Sequence, residues 1–264
     1  MDRLDRDLVR RAFFPSREKA KAAICAGMVL VNGQEERRPS CVVEEHDVLS
    51  LREGAGISYV GRGSFKLLKA LDFFELEVAG LRCLDVGAST GGFTQVLLER
   101  GALQVYSIDV GSGQLARLLK EDPRVVSMEQ TDFRTLSRER VGAVEFACVD
   151  VSFISLRLIL PNLYSLLNEG SSAVCLLKPQ FEAGPRRAKK GIVKDIRIHD
   201  QVMEEIILAI QGNGFKYCGA THSPICGGDG NIEYLLHIFK GISSDEIVPQ
   251  PAEVVRKAWK DLNR

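Results

Sequence analysis

The sequence has no excess charge of either sign, no long apolar run and no leader-like start. Its 264 residues include 35 Lys and Arg and 35 Asp and Glu, so any contact with nucleic acid must come from local basic clusters. No stretch approaches the roughly 18 apolar residues of a membrane span, and the charged segment 1–7 lacks the apolar core of a signal peptide. These absences predict a cytoplasmic protein that does not enter membranes.

The spacing of a metal site or a disulfide framework is also missing. The seven cysteines contain no Cys-x-x-Cys pair, and Cys83 and Cys148 lie in apolar runs, as small buried side chains do in a reducing compartment. His199, His222 and His237 show no ligand spacing either. We therefore predict that the protein holds no metal.

Residues 1–52 are predicted to form a small separate domain. Ser16 is placed to cap a helix that ends at Gly27, and the pair Asn32-Gly33 between short apolar runs is a strong hairpin signal. The glycine-rich stretch 53–63 reads as a flexible linker, although it could equally be a passive tether.

Residues 64–240 alternate apolar strands with amphipathic helices, which predicts an open α/β sheet. The first strand ends at Asp85, and the glycine loop Gly87–Phe93 follows it. In the remaining segment, 241–264, a short helix with an apolar stripe is predicted to dock on this domain.

The glycine loop has a spacing that distinguishes between cofactors. Nicotinamide enzymes use G-x-G-x-x-G, whereas this loop reads Asp-x-Gly-x-x-x-Gly and resembles the first motif of S-adenosylmethionine-dependent methyltransferases. Asp109, at the end of the second strand, suits the ribose hydroxyls, and Asp132-Phe133 suits the adenine, although either aspartate could instead cap a helix. The predicted cofactor-binding residues are Asp85, Gly87, Ala88, Ser89, Gly91, Gly92, Phe93, Asp109, Asp132, Phe133 and Asp150.

Four ionisable residues, Lys66, Asp150, Lys178 and Glu233, each stand beside a glycine, a proline or a strand end. Asp150 is followed by neither the Pro-Pro-aromatic of base-amine methyltransferases nor a nucleophilic cysteine, so a hydroxyl acceptor is favoured. Lys178 follows a run of apolar residues that disfavours its charged form, and a neutral amine can take a hydroxyl proton. The alternatives are a snorkelling Lys178, a solvated Lys66 and an exposed Glu233.

The four residues match the catalytic tetrad of FtsJ-like ribose 2′-O-methyltransferases, and the whole chain resembles the TlyA family. The matching segments are Gly61–Gly63, Gly87–Phe93, Asp122–Val126, Ser152–Leu156, Lys178–Glu182 and Asn231–Tyr234. The resemblance implies a Rossmann-like class I S-adenosylmethionine-dependent methyltransferase fold with a mostly parallel seven-stranded sheet. It also implies methylation of cytidine in ribosomal RNA, at a large-subunit site and in some members also a small-subunit site.

The first fifty residues resemble the S4-type α+β RNA-binding domain, on Arg3-Leu4-Asp5, Ser16-Arg17 and Val31-Asn32-Gly33. This resemblance implies that basic side chains grip RNA phosphates, although solvated helix faces or a mobile loop would look the same. The predicted RNA-binding residues are Arg3, Arg6, Arg10, Arg11, Arg17, Lys19, Lys21, Arg62, Arg186, Arg187, Lys189 and Lys190.

The expected partner is ribosomal RNA or a ribosomal subunit, bound by a single chain. Two other classes of function stay open at this point. One is a non-catalytic RNA-binding or ribosome-assembly module, which an intact tetrad disfavours. The other is a membrane-damaging protein, as the label haemolysin on family members suggests, and the missing signal peptide and spans disfavour it.

Overall fold

A computed structural model describes residues 2–11, 13–14, 16–44, 46–51, 59–184, 187–188, 191–241 and 250–262. Within these ranges the chain forms a small front domain and a larger α/β domain. Of the predicted linker, residues 59–63 are described, and helix α3 begins at Ser64 as expected. No helix in the described ranges is long and apolar enough to cross a membrane.

The front domain contains two short helices and five short strands. Its elements are β1 (Asp2–Arg3), α1 (Leu4–Arg10), α2 (Arg17–Cys25), β2 (Val29–Val31), β3 (Gln34–Glu35), β4 (Val42–Val43) and β5 (Leu49–Leu51). Ser16 Oγ accepts the Lys19 amide at 3.4 Å and caps α2. Asn32 and Gly33 both have positive φ, 52° and 80°, as the turn of the β2–β3 hairpin requires. The predicted cap and hairpin are therefore confirmed.

The larger domain is a seven-stranded sheet in the order β11-β12-β10-β9-β6-β7-β8. The strands are β6 (Arg82–Val86), β7 (Gln104–Ile108), β8 (Val125–Met128), β9 (Val144–Val149), β10 (Leu167–Leu177), β11 (Lys216–His222) and β12 (Tyr234–Lys240). Only β12 runs antiparallel to its neighbours, so the prediction of a mostly parallel seven-stranded sheet is confirmed.

Helices cover both faces of the sheet. They are α3 (Ser64–Phe73), α4 (Gly92–Glu99), α5 (Arg117–Lys120), α6 (Arg138–Val141), α7 (Leu160–Leu166), α8 (Pro179–Glu182), α9 (Ile196–Gly212) and α10 (Pro251–Leu262). Alternate residues of a strand point to opposite faces of the sheet, so Leu84 and Val86 lie in one hydrophobic core and Cys83 lies in the other. The helix α10 packs on α9 and β11 with Val254 and Val255 buried, as its apolar stripe predicts.

The topology brings several chain positions to one edge of the sheet. The carboxyl ends of β6, β9, β10 and β11 meet there, because these strands are parallel. The antiparallel β12 starts at the same edge, with Tyr234 opposite Leu177 and His222. Open α/β sheets bind ligands at the carboxyl ends of their strands, so this edge is where a site is expected.

Candidate active site

Lys66, Asp150, Lys178 and Glu233 come together at this edge in one line of alternating charge. Lys66 Nζ lies 2.7 Å from Glu233 Oε2 and 3.7 Å from Asp150 Oδ2. The other oxygen, Asp150 Oδ1, lies 2.6 Å from Lys178 Nζ. The residues come from α3, the end of β9, the end of β10 and the start of β12, so only the folded sheet assembles them. The alternatives of a solvated Lys66 and an exposed Glu233 are wrong, since both are buried.

The electrostatics of this line fix the charge of Lys66. Burial alone lowers the pKa of its ammonium, but the carboxylates of Asp150 and Glu233 outweigh that effect and the pKa is raised. Lys66 therefore stays charged at neutral pH and neutralises the carboxylates on either side. Lys178 contacts the same carboxylate through the other oxygen of Asp150.

Two further side chains surround Lys178. Its Nζ donates a hydrogen bond to Ser152 Oγ at 2.9 Å and lies 5.9 Å from the centre of the Phe181 ring. The Phe153 ring lies 5.0 Å from that of Phe181 and is 90% exposed, although most large apolar residues are buried. Such an exposed ring, next to the line of four charged residues, offers a flat face on which a base can stack. Neither Ser152 nor Phe153 was among the predicted site residues.

The loop that carries Phe153 is held in a strained conformation. Phe153 has φ of 64°, which is rare for a residue with a side chain. The carboxylate of Glu182 accepts hydrogen bonds from Ser155 Oγ at 2.6 Å and from the Leu156 amide at 2.7 Å. Glu182 therefore ties the family segment that carries Lys178 to the segment that carries Ser152 and Phe153.

The glycine loop is shaped by its neighbours in the protein. A Cβ on Gly87 would overlap the carbonyl oxygen of Asp150, and φ there is 88°. A Cβ on Gly91, at φ of 94°, would overlap the Leu119 side chain and lie 2.7 Å from that of Leu115. Gly87 thus allows the glycine loop to touch the strand end that bears Asp150, whereas Gly91 allows the loop to pack against α5 and the segment leading into it.

Asp85 has one partnered and one unpartnered oxygen. Its Oδ2 accepts the Thr94 amide at 2.8 Å and the Thr94 hydroxyl at 2.6 Å. Its Oδ1 is buried without a partner among the described residues, and burial raises the pKa of the carboxyl to about 7. A buried acceptor with a free lone pair fits the ammonium group of an amino-acid ligand. The predicted contact of Asp85 with the cofactor is consistent with this oxygen and stays a prediction.

The other predicted cofactor carboxylates are engaged within the protein. Asp109 accepts the Ser89 amide at 2.8 Å and the Gly111 amide at 2.7 Å, which links the glycine loop to the end of β7. Asp132 caps the short 3₁₀ helix that begins at Phe133, as one of its alternatives foresaw, and the Phe133 side chain is buried in the core. Their contacts with ribose and adenine stay predictions.

The start of α3 is attached to the cofactor loop. Ser64 Oγ lies 2.8 Å from the Gly61 carbonyl and 3.1 Å from the Gly92 carbonyl. Gln95 Oε1 accepts the Val60 amide at 2.9 Å. The end of the predicted linker therefore contacts the same helix, α4, that continues from the glycine loop. These two side chains carried no signal in the sequence.

Most of the predicted RNA-binding residues of the front domain pair within it. The buried carboxylate of Asp5 binds Arg3 at 3.0 Å and Arg17 at 2.8 Å, and buried Asp7 binds Arg10 and Arg11. Arg6 and Lys21 are exposed, and Lys19 donates to the Tyr59 carbonyl at 2.7 Å. The predicted basic face is thus partly a set of internal ion pairs.

The basic residues nearer the edge divide in the same way. Arg62 is exposed, with a guanidinium nitrogen close to Gly228 in the segment before Glu233. Arg187 binds the Ala183 carbonyl at 2.8 Å and Glu205 at 3.6 Å. The three remaining predictions, Arg186, Lys189 and Lys190, lie outside the described residues. No group of three metal-ligating side chains forms in the described part of the chain.

The sheet order and the acidic strand end before a glycine turn are those of S-adenosylmethionine-dependent methyltransferases, and S-adenosylmethionine is the cofactor. The profile of the FtsJ-like methyltransferase family matches residues 59–240, and that of the S4 domain matches residues 2–49. The chain belongs to the FtsJ-like methyltransferase family, in a branch that carries an S4 domain in front.

Named relatives cover most of the chain. The 16S/23S rRNA (cytidine-2′-O)-methyltransferase TlyA of Mycobacterium tuberculosis is 42% identical over 89% of this chain and 88% of its own length. Hemolysin A of Brachyspira hyodysenteriae is 40% identical over 89% of this chain and 98% of its own. A solved structure from Streptococcus thermophilus has a TM-score of 0.76 and 43% identity, covering 99% of this chain and 97% of that one. The resemblance to the TlyA family is therefore confirmed.

Proposed function

We propose that this protein methylates the ribose 2′-hydroxyl of a cytidine in large-subunit ribosomal RNA, with small-subunit RNA as a second substrate to be tested. The observation that carries the proposal is the line of Glu233, Lys66, Asp150 and Lys178 beside the glycine loop. The names of the relatives support the substrate: TlyA of Mycobacterium tuberculosis is named for 16S and 23S RNA, and that of Campylobacter jejuni for 23S RNA.

Bound S-adenosylmethionine supplies a methyl group on a sulfonium, which is an electrophile that needs no metal. Asp85, the glycine loop and Asp109 would hold it, and the unpartnered Asp85 Oδ1 fits its ammonium group. At Gly87 this loop packs so closely on the backbone of Asp150 that a Cβ would not fit between them. The proposed cofactor-binding residues and the proposed catalytic residues are therefore in direct contact.

The acceptor hydroxyl would lie against Lys178 Nζ. As the hydroxyl oxygen takes the methyl group, the C–S bond breaks, the C–O bond forms, and the hydroxyl proton passes to the amine form of Lys178. Asp150 then stabilises the new ammonium, while Lys66 and Glu233 keep Asp150 in place. Because Lys178 contacts Asp150 at 2.6 Å in the resting protein, it has to lose its ammonium proton before it can act as the base.

The RNA would be bound by exposed cations and an exposed ring. Arg6 and Lys21 on the front domain and Arg62 beside the site can contact phosphates, which sets the register of the RNA without reading its sequence. Phe153 can stack on a base next to Lys178. We propose that the protein works as a single chain in the cytoplasm, where its substrate is made.

The deciding experiment is a map of ribose methylation on ribosomal RNA from cells with and without this protein. We expect one or more cytidines to lose the modification in the deletion strain and to regain it with the wild-type gene but not with a Lys178→Ala gene. Purified large and small subunits, each incubated with the enzyme and labelled cofactor, then identify which particle is methylated. An unchanged map together with inactive purified enzyme would overturn the proposal.

Neither alternative function gains an observation in its favour. A non-catalytic assembly module has no need of a line of four ionisable residues in contact, three of them buried, because buried charges are costly to desolvate. The name Hemolysin A belongs to a relative, and none of the described helices could span a membrane.

A further inference from the structure

Glu233 stands at the start of β12, where a strand enters the sheet from a loop. Successive residues of a strand point to opposite faces, so Glu233 and Tyr234 face different layers. Glu233 reaches Lys66 on α3 at 2.7 Å, whereas Tyr234 reaches His199 on α9, with its hydroxyl 2.9 Å from Nδ1. The strand entry is thus held from both faces, by an ion pair on one and a hydrogen bond on the other.

The hydrogen bonds around His199 determine its tautomer. Its Nε2 lies 3.0 Å from the Val193 carbonyl oxygen, which only accepts, so Nε2 carries the proton. Nδ1 is then the acceptor of the Tyr234 hydroxyl. Burial lowers the pKa of His199, although Asp195 and Asp200 act in the opposite direction, and burial raises the pKa of Tyr234. Both groups are therefore neutral at neutral pH, as this pattern requires.

The same network reaches the segment that follows the basic loop. The Val193 amide donates to Asn231 Oδ1 at 3.2 Å, and Asn231 Nδ2 donates to the Gly191 carbonyl at 2.8 Å. His199, Tyr234 and Asn231 are each at most 1% exposed, and Trp259 of α10 covers the His199 ring edge-on at 5.4 Å. The network is closed to solvent, so each lost partner leaves a buried polar atom unpaired.

We propose that His199 and Tyr234 are positioning residues, which hold Glu233, and through it Lys66, in the arrangement that methyl transfer needs. The inference rests on the proposed catalytic role of the tetrad. Neither residue touches the reacting atoms. Packing alone does not account for their hydrogen bond, because Phe and Leu would fill the same core without buried polar atoms. A small displacement of a catalytic side chain is enough to lower turnover severely.

The test separates the two hydrogen bonds of His199. Tyr234→Phe removes one oxygen and keeps the ring. His199→Asn places an oxygen where Nδ1 stood and keeps the bond to Tyr234, whereas His199→Gln reaches Val193 and loses that bond. Ser172→Ala is the matched control, because Ser172 pairs with His237 on the same β12 at 3.0 Å, far from Glu233.

The quantity to measure is kcat on ribosomal subunits, expressed per molecule that binds S-adenosylmethionine, so that unfolded protein is not counted. Tyr234→Phe and His199→Gln should each lower kcat about tenfold, the scale of one buried hydrogen bond, with an unchanged KM for the cofactor. The double variant should be no worse than either single variant, and His199→Asn and Ser172→Ala should keep most of the activity.

A wild-type kcat in Tyr234→Phe, or an equal loss in Ser172→Ala, would overturn the inference. Glu233→Gln is measured in parallel. If Glu233→Gln is as active as the wild type, the catalytic assignment of the tetrad fails instead, and the two failures are therefore distinguishable.

Discussion

At the scale of single residues, Lys178 has two oxygen neighbours. Asp150 Oδ1 lies 2.6 Å from Nζ, and Ser152 Oγ accepts a hydrogen bond from it at 2.9 Å. In the proposed mechanism the ammonium that forms on Lys178 lies directly against the carboxylate of Asp150.

Lys178→Ala should lower kcat by about 10²–10⁴-fold, the usual effect of a lost general base, while subunit binding and thermal stability stay close to wild type. Lys178→Arg should fail as well, because guanidinium keeps its proton. Methylation assays with purified subunits measure the first effect, and thermal unfolding with sedimentation binding measures the second. Near-normal turnover by either variant would contradict the role of Lys178.

Asp85 gives the protein a pH dependence that the cofactor should remove. Its pKa is about 7 in the folded chain against an ordinary value of 3.8. Between these values the folded state binds the proton and the unfolded state does not, so the stability from this group falls as the pH rises from about 4 to 7. A cofactor ammonium beside Asp85 favours the carboxylate, so binding should release a proton near neutral pH.

Calorimetric titrations of S-adenosylmethionine in buffers of different ionisation enthalpy measure that proton release, and Asp85→Asn should abolish it. The variant should also lose the fall in stability between pH 4 and 7 seen by denaturant unfolding. If wild type and variant release the same number of protons on binding, the unpartnered oxygen of Asp85 does not face the cofactor.

Part of the tetrad could be predicted from local sequence patterns, whereas Lys66 and Glu233 were identified only by the resemblance, and most of the surroundings carried no signal. Lys178 and Asp150 directly follow apolar strands, and parallel strands bring their carboxyl ends together, so local patterns carry that signal. The contacts of Glu182 with Ser155 and of His199 with Tyr234 join positions 27 and 35 residues apart, and nothing local marks them. Arg17 looked like a free cation because its pairing with buried Asp5, 12 residues away, is a tertiary contact.

At the scale of elements, the decisive contact is between the glycine loop and the end of β9. Gly87 and Asp150 directly follow two strands that pair, β6 and β9, and their backbones touch where those strands end. If both residues have their proposed roles, this contact places cofactor binding directly beside catalysis. Element boundaries were predicted only approximately: the first strand of the larger domain, β6, ends at Val86 and not at Asp85.

Gly87→Ala should destabilise the protein and weaken cofactor binding, because the new methyl group overlaps the Asp150 carbonyl at a φ of 88°. Gly113→Ala is the matched control: its φ is 69°, and a Cβ there meets nothing within 4 Å. The control should be less stable than the wild type by only about 1 kcal/mol, which is the cost of placing an alanine in the left-handed region. Equal unfolding free energies and equal cofactor affinities in the two variants would show that the contact with Asp150 is unimportant.

At the scale of the whole molecule, the front domain has two groups of basic residues: some form ion pairs within the domain, and others are exposed outside those pairs. Buried Asp5 and Asp7 hold four arginines between them, so substituting those arginines disturbs the fold as well as any contact with RNA. Arg6 and Lys21 are exposed and take part in none of these four ion pairs. The two groups of basic residues therefore allow binding and stability to be tested separately.

Arg6→Glu with Lys21→Glu should weaken binding to ribosomal subunits and flatten its salt dependence, by roughly 0.7–0.9 in slope for each lost phosphate contact. Cofactor affinity and thermal stability should not change, whereas Arg17→Glu should lower the stability by placing a carboxylate against Asp5. Binding measured over a series of salt concentrations decides the matter. A double variant with wild-type binding and methylation would leave recognition to the larger domain.

The order of the tetrad along the chain has a consequence during synthesis. Lys66 leaves the ribosome early and Glu233 late, and β12, which begins directly after Glu233, pairs with β10 and β11 on either side. The front domain is free to fold first, since domains fold from the N-terminal end during translation. A nascent chain can therefore offer a basic RNA-contacting domain before it has a complete catalytic line. The proposed substrate of this enzyme belongs to the ribosome, which is also the particle that synthesises it. The nascent chain is therefore inactive towards that ribosome until synthesis is nearly finished.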